Sequence, residues 1–369
     1  MISENKEFLT EQIITYIGNK RRLIKNIETE IEIIKKNLNL QKMVCADIFS
    51  GSGIAARMLK KHSKKLIVND LENYSAVLNA CYLTNKKDYP KTICDAYRAL
   101  IEKSAAKEKI IGIITNNYAP KDNEHITETD RVFYTRENAI LLDTYRTLID
   151  KIITEENLKK FFLAPLITEA SIHVNTSGVF KGFYKNSHTG IGCFGGNGKN
   201  ALSRILGKIE LKQPVFSNFD CEAAIYTEDA VQLASKLKNI DAAYLDPPYN
   251  QHPYGSNYFM FNLILKNKLD CEISAVSGIP KNWNRSIFNN KKSALDAMEK
   301  IISVLDAKYI IISYNSEGFI GFDRMLAMLK KYGSVKTSAV KYNVFRGSRN
   351  LRQRNMHVSE YLFVVTKKI

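Results

Sequence analysis

A short apolar run that enters a glycine turn, continues as a helix and leads to a second apolar run leaves few folds open to this chain. Val44 to Phe49 is such a run, and it ends in Ser50-Gly51-Ser52-Gly53. A helix is predicted from Ile54 to about Lys61, and Lys65 to Asn69 (KLIVN) reads as a second strand closed by Asp70. Strand, tight turn, helix, strand is the opening of a doubly wound α/β sheet.

The same texture returns towards the C-terminus. Asp241 to Leu245 (DAAYL) and Tyr309 to Ser313 (YIIIS) read as strands, and Tyr361 to Val365 (YLFVV) as a last strand at the edge. Apolar residues at helical spacing predict helices over residues 22–38 and 291–305. The middle differs. Residues 138–166 look helical, whereas residues 173–199 are dense in Gly, Asn, Ser, Lys and aromatics without a period, which is loop chemistry. The expected organisation is one discontinuous α/β domain, residues 1–84 and 216–369, interrupted by a recognition region at residues 85–215.

Charge narrows the choice of partner. The 369 residues carry 54 Lys and Arg against 38 Asp and Glu, a formal +16. Such an excess attracts polyanions, nucleic acid first and anionic membrane second. No apolar run reaches the roughly 20 residues of a membrane-spanning helix, and the polar Met1 to Leu9 is no signal peptide. The six cysteines, Cys45, Cys81, Cys94, Cys193, Cys221 and Cys271, form no close pairs, so neither a zinc ribbon nor a disulfide framework is expected. A reducing cytoplasm is the expected setting.

The sharpest chemical signal is Asp246-Pro247-Pro248-Tyr249 at the end of an apolar strand. Ligands of open α/β sheets bind beyond the carboxyl ends of strands, and a diproline holds a carbonyl in a set direction. Methylating an exocyclic amine needs such a corner. The nitrogen lone pair is delocalised into the ring, and two acceptors aimed at its N–H bonds favour a tetrahedral nitrogen. The Asp246 carboxylate and the Pro247 carbonyl can be those acceptors, with Tyr249 stacking on the base.

Other residues suit an adenosyl or nicotinamide ligand. In Asp47-Ile48-Phe49-Ser50-Gly51-Ser52-Gly53 the glycines let backbone approach a ligand. Asp70, about 20 residues further on, suits ribose hydroxyls, and Ala56 stands where a dinucleotide fingerprint has its third glycine. Asp229 can face an adenine amino group or simply cap a helix. Lys20, in Tyr16-Ile17-Gly18-Asn19-Lys20, can pair with a ligand carboxylate or be a solvated helix start.

Taken in order, these motifs resemble the Dam-like, alpha-group DNA adenine N6-methyltransferases. Tyr16 to Lys20 is similar to that family's opening motif, although Ile17 and Asn19 depart from it. Asp47 to Gly53 resembles its F-x-G-x-G motif, Asp70 and Asp229 match its ribose and adenine acids, and Asp246 to Tyr249 is identical to its D-P-P-Y. The resemblance implies a Rossmann-like class I methyltransferase sheet with an inserted DNA-recognition region. It also implies S-adenosylmethionine as cofactor with no metal, duplex DNA as substrate, and extrusion of the target base. A restriction–modification setting, with a cognate endonuclease as partner, belongs to the same expectation.

On the DNA side, residues 175–199 interleave Lys181, Lys185 and Lys199 with Phe180, Phe183 and Tyr184, beside Asn175 and Asn186. That mixture suits phosphate gripping and base stacking. Arg346, Arg349, Arg352 and Arg354 form a second basic segment, able to pair with phosphates or read guanine. His252 has no assigned role.

Rival readings stay in view. Amino methylation of cytosine uses the same fold, more often with Ser in the place of Asp246. Cytosine carbon methylation needs a Pro-Cys nucleophile, which is absent. A nicotinamide oxidoreductase leaves Asp246 to Tyr249 unexplained. A catalytically silent nucleic-acid binder on the same scaffold is the rival of another class.

Overall fold

The computed structural model describes residues 3–11, 14–343 and 357–368. Seven strands form one mixed sheet: β1 (Met43–Asp47), β2 (Ser63–Asn69), β3 (Glu222–Tyr226), β4 (Ile240–Leu245), β5 (Ala307–Asn315), β6 (Gly333–Asn343) and β7 (His357–Lys367). Their order is β3-β2-β1-β4-β5-β7-β6. The first five run parallel, and β7 and then β6 pair antiparallel beside β5. Strand order reverses between β1 and β4, which makes the carboxyl ends of those two strands the expected crevice.

Side chains alternate strictly across the sheet, as a strand's period of two requires. Cys45, Ala242, Tyr244 and Ile311 enter one buried core, and Ala46, Ala243, Leu245, Ile310 and Ile312 the other. The second core is closed by the helices Ala230–Lys236, Ala294–Val304 and Phe322–Lys330. On the opposite face lie the helices Ile24–Asn37, Ile54–Lys60 and Asn73–Tyr82.

The chain between β2 and β3 adds several helices to that face. Residues 138–166, expected as one helical stretch, belong to two helices, Arg136–Ile152 and Glu156–Ile172, separated by extended backbone at Ile153 and Glu155. Arg146 joins them to the later half of the chain. Its Nε donates to the Ile264 carbonyl (2.9 Å) and its Nη2 to that of Leu265 (2.8 Å). These are orphan carbonyls at the end of the helix Phe259–Lys266.

Three expectations need correction. Tyr361 to Val365 is not an edge strand, because β7 lies between β5 and β6 and β6 forms the edge. Neither edge strand was foreseen. In β3 every residue is at least partly exposed, and β6 reads GSVKTSAVKYN, so neither carries a core-like apolar run. The stretch 173–199 has no regular element except an isolated bridge between Lys185 and Gly192, yet it is not all surface. Phe180 and Asn175 are buried within it. The Asn175 amide donates to the carbonyls of Val132 (2.8 Å) and Cys193 (3.1 Å) and accepts from Gly195 (2.9 Å). It holds the loop's shape and cannot serve as a DNA contact.

Among the described residues no helix is long and apolar enough to cross a membrane. The segment Arg346 to Arg354 lies outside the described residues.

Asn69 ends β2 and ties three loops together. Its amide donates to the carbonyls of Ile48 and Glu228 (3.1 Å each), and its oxygen accepts from the Glu228 N–H (2.9 Å). Replacing it with alanine strands these backbone groups, and Asn69→Ala is expected to cost about 3 kcal/mol of stability. Urea denaturation of the two proteins measures this, and a loss below about 1 kcal/mol would show that the loops re-pair without it.

Candidate active site

One cavity opens over the strand reversal, enclosing about 850 Å³ with its solvent-facing mouth included. Its walls come from the ends of β1 (Phe49 to Ser52), β2 (Asn69, Asp70), β3 (Glu228, Asp229) and β4 (Tyr244, Asp246, Pro248). Tyr16 and Lys20 enter from the N-terminal segment. Asn284, Ser286, Phe288 and Asn289 enter from the loop after the helix Phe259–Lys266.

The turn after β1 is built for close approach. Gly51 has φ +51°, and a Cβ there would lie 2.7 Å from the Tyr16 ring. Gly53 (φ +79°) starts the helix Ile54–Lys60, and a Cβ there would meet Asn79 Oδ1 at 2.5 Å. The Gly51 N–H donates to Asp70 Oδ2 (2.8 Å) and the Glu72 N–H to Asp70 Oδ1 (2.9 Å). Both oxygens keep a further lone pair for ligand hydroxyls. Burial raises the Asp70 carboxyl to about 6 against these amide donors.

The other expected cofactor residues fall into place unevenly. Phe49 forms a wall and meets Phe288 edge-on, ring centres 5.2 Å apart. Asp229 lines the cavity and also caps a helix, Oδ1 accepting from the N–H groups of Val231 (3.0 Å) and Gln232 (3.1 Å). Asp47 and Gly53 are not in the wall. Asp47 is fully buried beneath it, and the N–H groups of Phe49 and Ala56 face it without aligned hydrogen bonds. Burial, then the carboxylates of Asp246 and Asp70, hold its carboxyl well above the ordinary range.

Tyr16 is locked in an aromatic stack, 4.9 Å from Tyr254 and 4.6 Å from Tyr258, with its hydroxyl 3.1 Å from that of Tyr74. Lys20 is neither solvated nor free for a ligand carboxylate. It is buried, and its Nζ meets Asp246 Oδ1 (2.8 Å), Glu360 Oε1 (3.1 Å) and the Gly18 carbonyl (3.0 Å). The ammonium is thus enclosed by one carbonyl and two carboxylates, the Glu360 contact being an ion pair without an aligned hydrogen bond.

At the end of β4, in the segment Asp246 to Tyr249, Asp246 and Pro248 line the cavity. Ser313 Oγ lies 3.2 Å from Asp246 Oδ1 and 2.8 Å from the Tyr244 hydroxyl. Burial lifts the Asp246 carboxyl to about 6, with Lys20 opposing and Glu360 adding to the rise. Pro247 is buried, and Tyr249, half-buried, meets Tyr314 edge-on with ring centres 6.4 Å apart.

The loop 175–199 backs onto this corner. The Phe180 N–H donates to the Asn257 carbonyl (2.8 Å), and its ring packs on Phe259 and Phe261. Phe180 therefore cannot stack on a base. Lys181 is exposed beside His252, and its charge, after burial, helps lower the histidine's pKa. Lys185 and Lys199 are exposed, with Lys185 5.2 Å over the Phe183 ring. Tyr184 is half-buried against a small surface cleft.

Several site residues escaped the sequence reading: Glu72, Tyr74, Tyr254, Tyr258, Asn284, Phe288, Ser313 and Glu360. Only Glu72 had a local signal, an acid two places after Asp70. Its carboxylate accepts from Asn262 Nδ2 (2.6 Å) and Asn284 Nδ2 (3.5 Å), latching the covering loop to the end of β2.

An adenosyl ligand fits these groups. The glycine cradle has no room for a side chain, Asp70 has free lone pairs, Phe49 and Phe288 offer rings, and the floor is rich in carboxylates suited to a sulfonium. Fold and site define a class I S-adenosylmethionine-dependent methyltransferase. Residues 16–327 match the family described as D12 class N6 adenine-specific DNA methyltransferase, and the chain belongs to it. It is similar to the type II methyltransferase M.CviAII of Paramecium bursaria Chlorella virus 1, 31% identical over 362 residues, covering 95% of this chain and 98% of that one. M.NlaIII of Neisseria lactamica is 28% identical over 362 residues, covering 96% and 99%. M.FokI of Planomicrobium okeanokoites is 26% identical, covering 96% of this chain but 53% of its own length. The protein is thus an enzyme that methylates an amino group of DNA with S-adenosylmethionine.

Burial raises Glu72 to about 7, with Asp70 adding to the rise and the two asparagines opposing it. The folded protein then holds a proton that the unfolded chain releases near pH 4 to 5. That contribution to stability is present at acid pH and is lost as pH rises through about 7. The melting temperature is expected to fall between about pH 5 and pH 7 and to level off above that, and to fall less steeply in Glu72→Gln. Equal slopes in the two proteins, read by calorimetry, would show that Glu72 does not titrate there.

Proposed function

We propose that the target is the N6 amino group of adenine, flipped out of duplex DNA. The observation that carries this is Asp246: a carboxylate at the end of β4, facing the cavity beside a diproline and held by Lys20 and Ser313. The family's adenine-specific description supports the choice of base. The acid itself supports it too, since amino-methylating enzymes of cytosine more often carry Ser there.

Asp246 and the Pro247 carbonyl accept the two amine N–H bonds, so the nitrogen lone pair leaves conjugation and points at the methyl donor. Bound S-adenosylmethionine supplies a methyl group on a sulfonium sulfur, which leaves as a neutral thioether. As the N–C bond forms, positive charge grows on the amine, the ionised carboxylate stabilises it, and the methylated amine then releases one of its two N–H protons to give the neutral product. Tyr249 stacks on the extruded base, whose removal from the duplex costs a few kcal/mol. Tyr16, Phe49, Gly51, Asp70 and Asp229 hold the donor, with Asp47 and Gly53 shaping the turn beneath it.

In this reading the enzyme is of the Dam-like alpha group. Residues 1–84 and 216–369 form the catalytic domain, and residues 85–215 the recognition region. Lys181, Tyr184, Lys185 and Lys199 grip the backbone near the flipped base, and Arg346 and Arg349 extend that grip. The relatives named as type II methyltransferases support a restriction–modification role with a cognate endonuclease.

Labelled methyl from S-adenosylmethionine on unmethylated genomic DNA, followed by nucleoside analysis, tests the reading. N6-methyladenine is the expected product, and Asp246→Ala is expected to lower its formation by about 100-fold or more. N4-methylcytosine would overturn the base. The rate should also fall as pH drops through about 6, where Asp246 takes up a proton and loses an acceptor.

A second test concerns DNA. Replacing Lys181 and Lys185 together with glutamine should weaken binding and make the plot of log Kd against log salt shallower by about two. An unchanged slope would remove both lysines from the interface.

A further inference from the structure

A cation 2.8 Å from the catalytic acid is, taken alone, adverse to this chemistry. The reaction builds positive charge on the amine, and the Lys20 ammonium sits on the group meant to stabilise it. In a buried site that opposition is poorly screened. The fold supplies a second carboxylate. Glu360 lies on β7, fully buried, with Oε1 3.1 Å from Lys20 Nζ and Oε2 accepting from Asn315 Nδ2 at 3.2 Å. Asn315 is its direct partner across the β5–β7 ladder. Lys20 thus bridges the ends of β4 and β7 across the end of β5, which contributes Ser313.

We propose that Glu360 is a positioning and charge-compensating residue of the reaction: it neutralises Lys20, so that Lys20 orients Asp246 without cancelling the negative charge presented to the amine. This rests on the reading of Asp246 as the amine's acceptor. Ionised, the group of Asp246, Lys20 and Glu360 carries one net negative charge, the same as Asp246 alone. The lysine fixes geometry and the glutamate restores the potential. The other groups facing Asp246 are the hydroxyls of Ser313, Tyr244, Tyr249 and Tyr254 and the buried Asp47 carboxyl. Lys20 is the one cation in that shell among the described residues.

Charge balance makes an unusual demand on double variants. Glu360→Gln leaves the group neutral, and kcat should fall by roughly tenfold while S-adenosylmethionine binding, followed by calorimetry, stays within about twofold. The acid limb of the kcat profile should move to lower pH, because a charge that opposes ionisation of Asp246 has gone. Lys20→Met leaves two carboxylates together, and its acid limb should move to higher pH. The double variant Lys20→Met/Glu360→Gln restores one negative charge and should turn over faster than Glu360→Gln alone. A merely structural role predicts the reverse, with the two losses multiplying. Multiplying losses, or acid limbs that stay put in both single variants, would overturn the proposal. If Glu360→Gln fails to fold, the double variant is read against Lys20→Met: removing the Glu360 charge should return the acid limb to lower pH, and a limb that stays put overturns the proposal. Asp246→Ala run alongside separates the two ideas: if it retains the wild-type rate, the reading of Asp246 fails and Glu360 is not the cause.

Discussion

The site depends on a lysine ammonium buried between two carboxylates. Lys20 comes from the segment before the first long helix, Asp246 from the strand at the reversal, and Glu360 from the last strand of the sheet. Three desolvated charges are tolerated only when each is paired and hydrogen-bonded. Here the Gly18 carbonyl, Ser313 and Asn315 supply the remaining contacts. The corner is therefore complete only when segments from both ends of the chain have docked on β4. The N-terminal segment is held for that purpose. Tyr16 stacks on Tyr254 and Tyr258, and the Tyr258 hydroxyl accepts from the Ile17 N–H at 2.6 Å. The loop after Asp246 and the cavity over the strand reversal are thus braced by one aromatic stack.

What could be read from the sequence follows from what is local. The turn after β1, Asp70 at the end of β2 and the Asp246 corner each lie within a few residues of a core strand, so composition and order sufficed. The edge strands β3 and β6 could not be read in the same way. An edge strand keeps one side in water and carries polar residues that discourage pairing with other chains. Without β6, β7 looked like the boundary of the sheet, although it lies within it. Glu360 shows the same limit at the level of chemistry. An acid before an apolar run is unremarkable in sequence, and only the β5–β7 register and the path of the N-terminal segment turn it towards Lys20.

The loop 173–199 shows how one composition serves two ends. Its glycines and asparagines suggested a solvated contact surface, and Lys181, Lys185 and Lys199 are exposed. Phe180 and Asn175 do opposite work. One anchors the loop to the aromatic core behind the catalytic segment, and the other satisfies three backbone groups from inside. A loop that presents lysines in a fixed geometry needs such internal anchors, because an unanchored one loses its geometry to chain entropy. Sequence spacing cannot separate the anchors from the contacts.

Charge is partitioned between the inside and the outside of this enzyme. The chain as a whole is strongly basic, yet the cavity and its floor gather Asp47, Asp70, Glu72, Asp229, Asp246 and Glu360, with Lys20 buried between the last two. The two signs address different ligands. A basic exterior draws in a polyanion over distances comparable to the Debye length. An acidic interior suits a sulfonium donor and an amine that becomes cationic as it reacts. Burial keeps the fields apart, because the surface lysines are screened by water and salt whereas the carboxylates act at contact distance in a poorly screened site. It also raises the carboxyls of Asp70 and Asp246 to about 6. Both remain mostly ionised at neutral pH but with little margin, so more burial would protonate them and less would weaken their hold on the developing cation. Glu360 narrows that margin and Lys20 widens it, and the balance between them sets how strongly Asp246 can act.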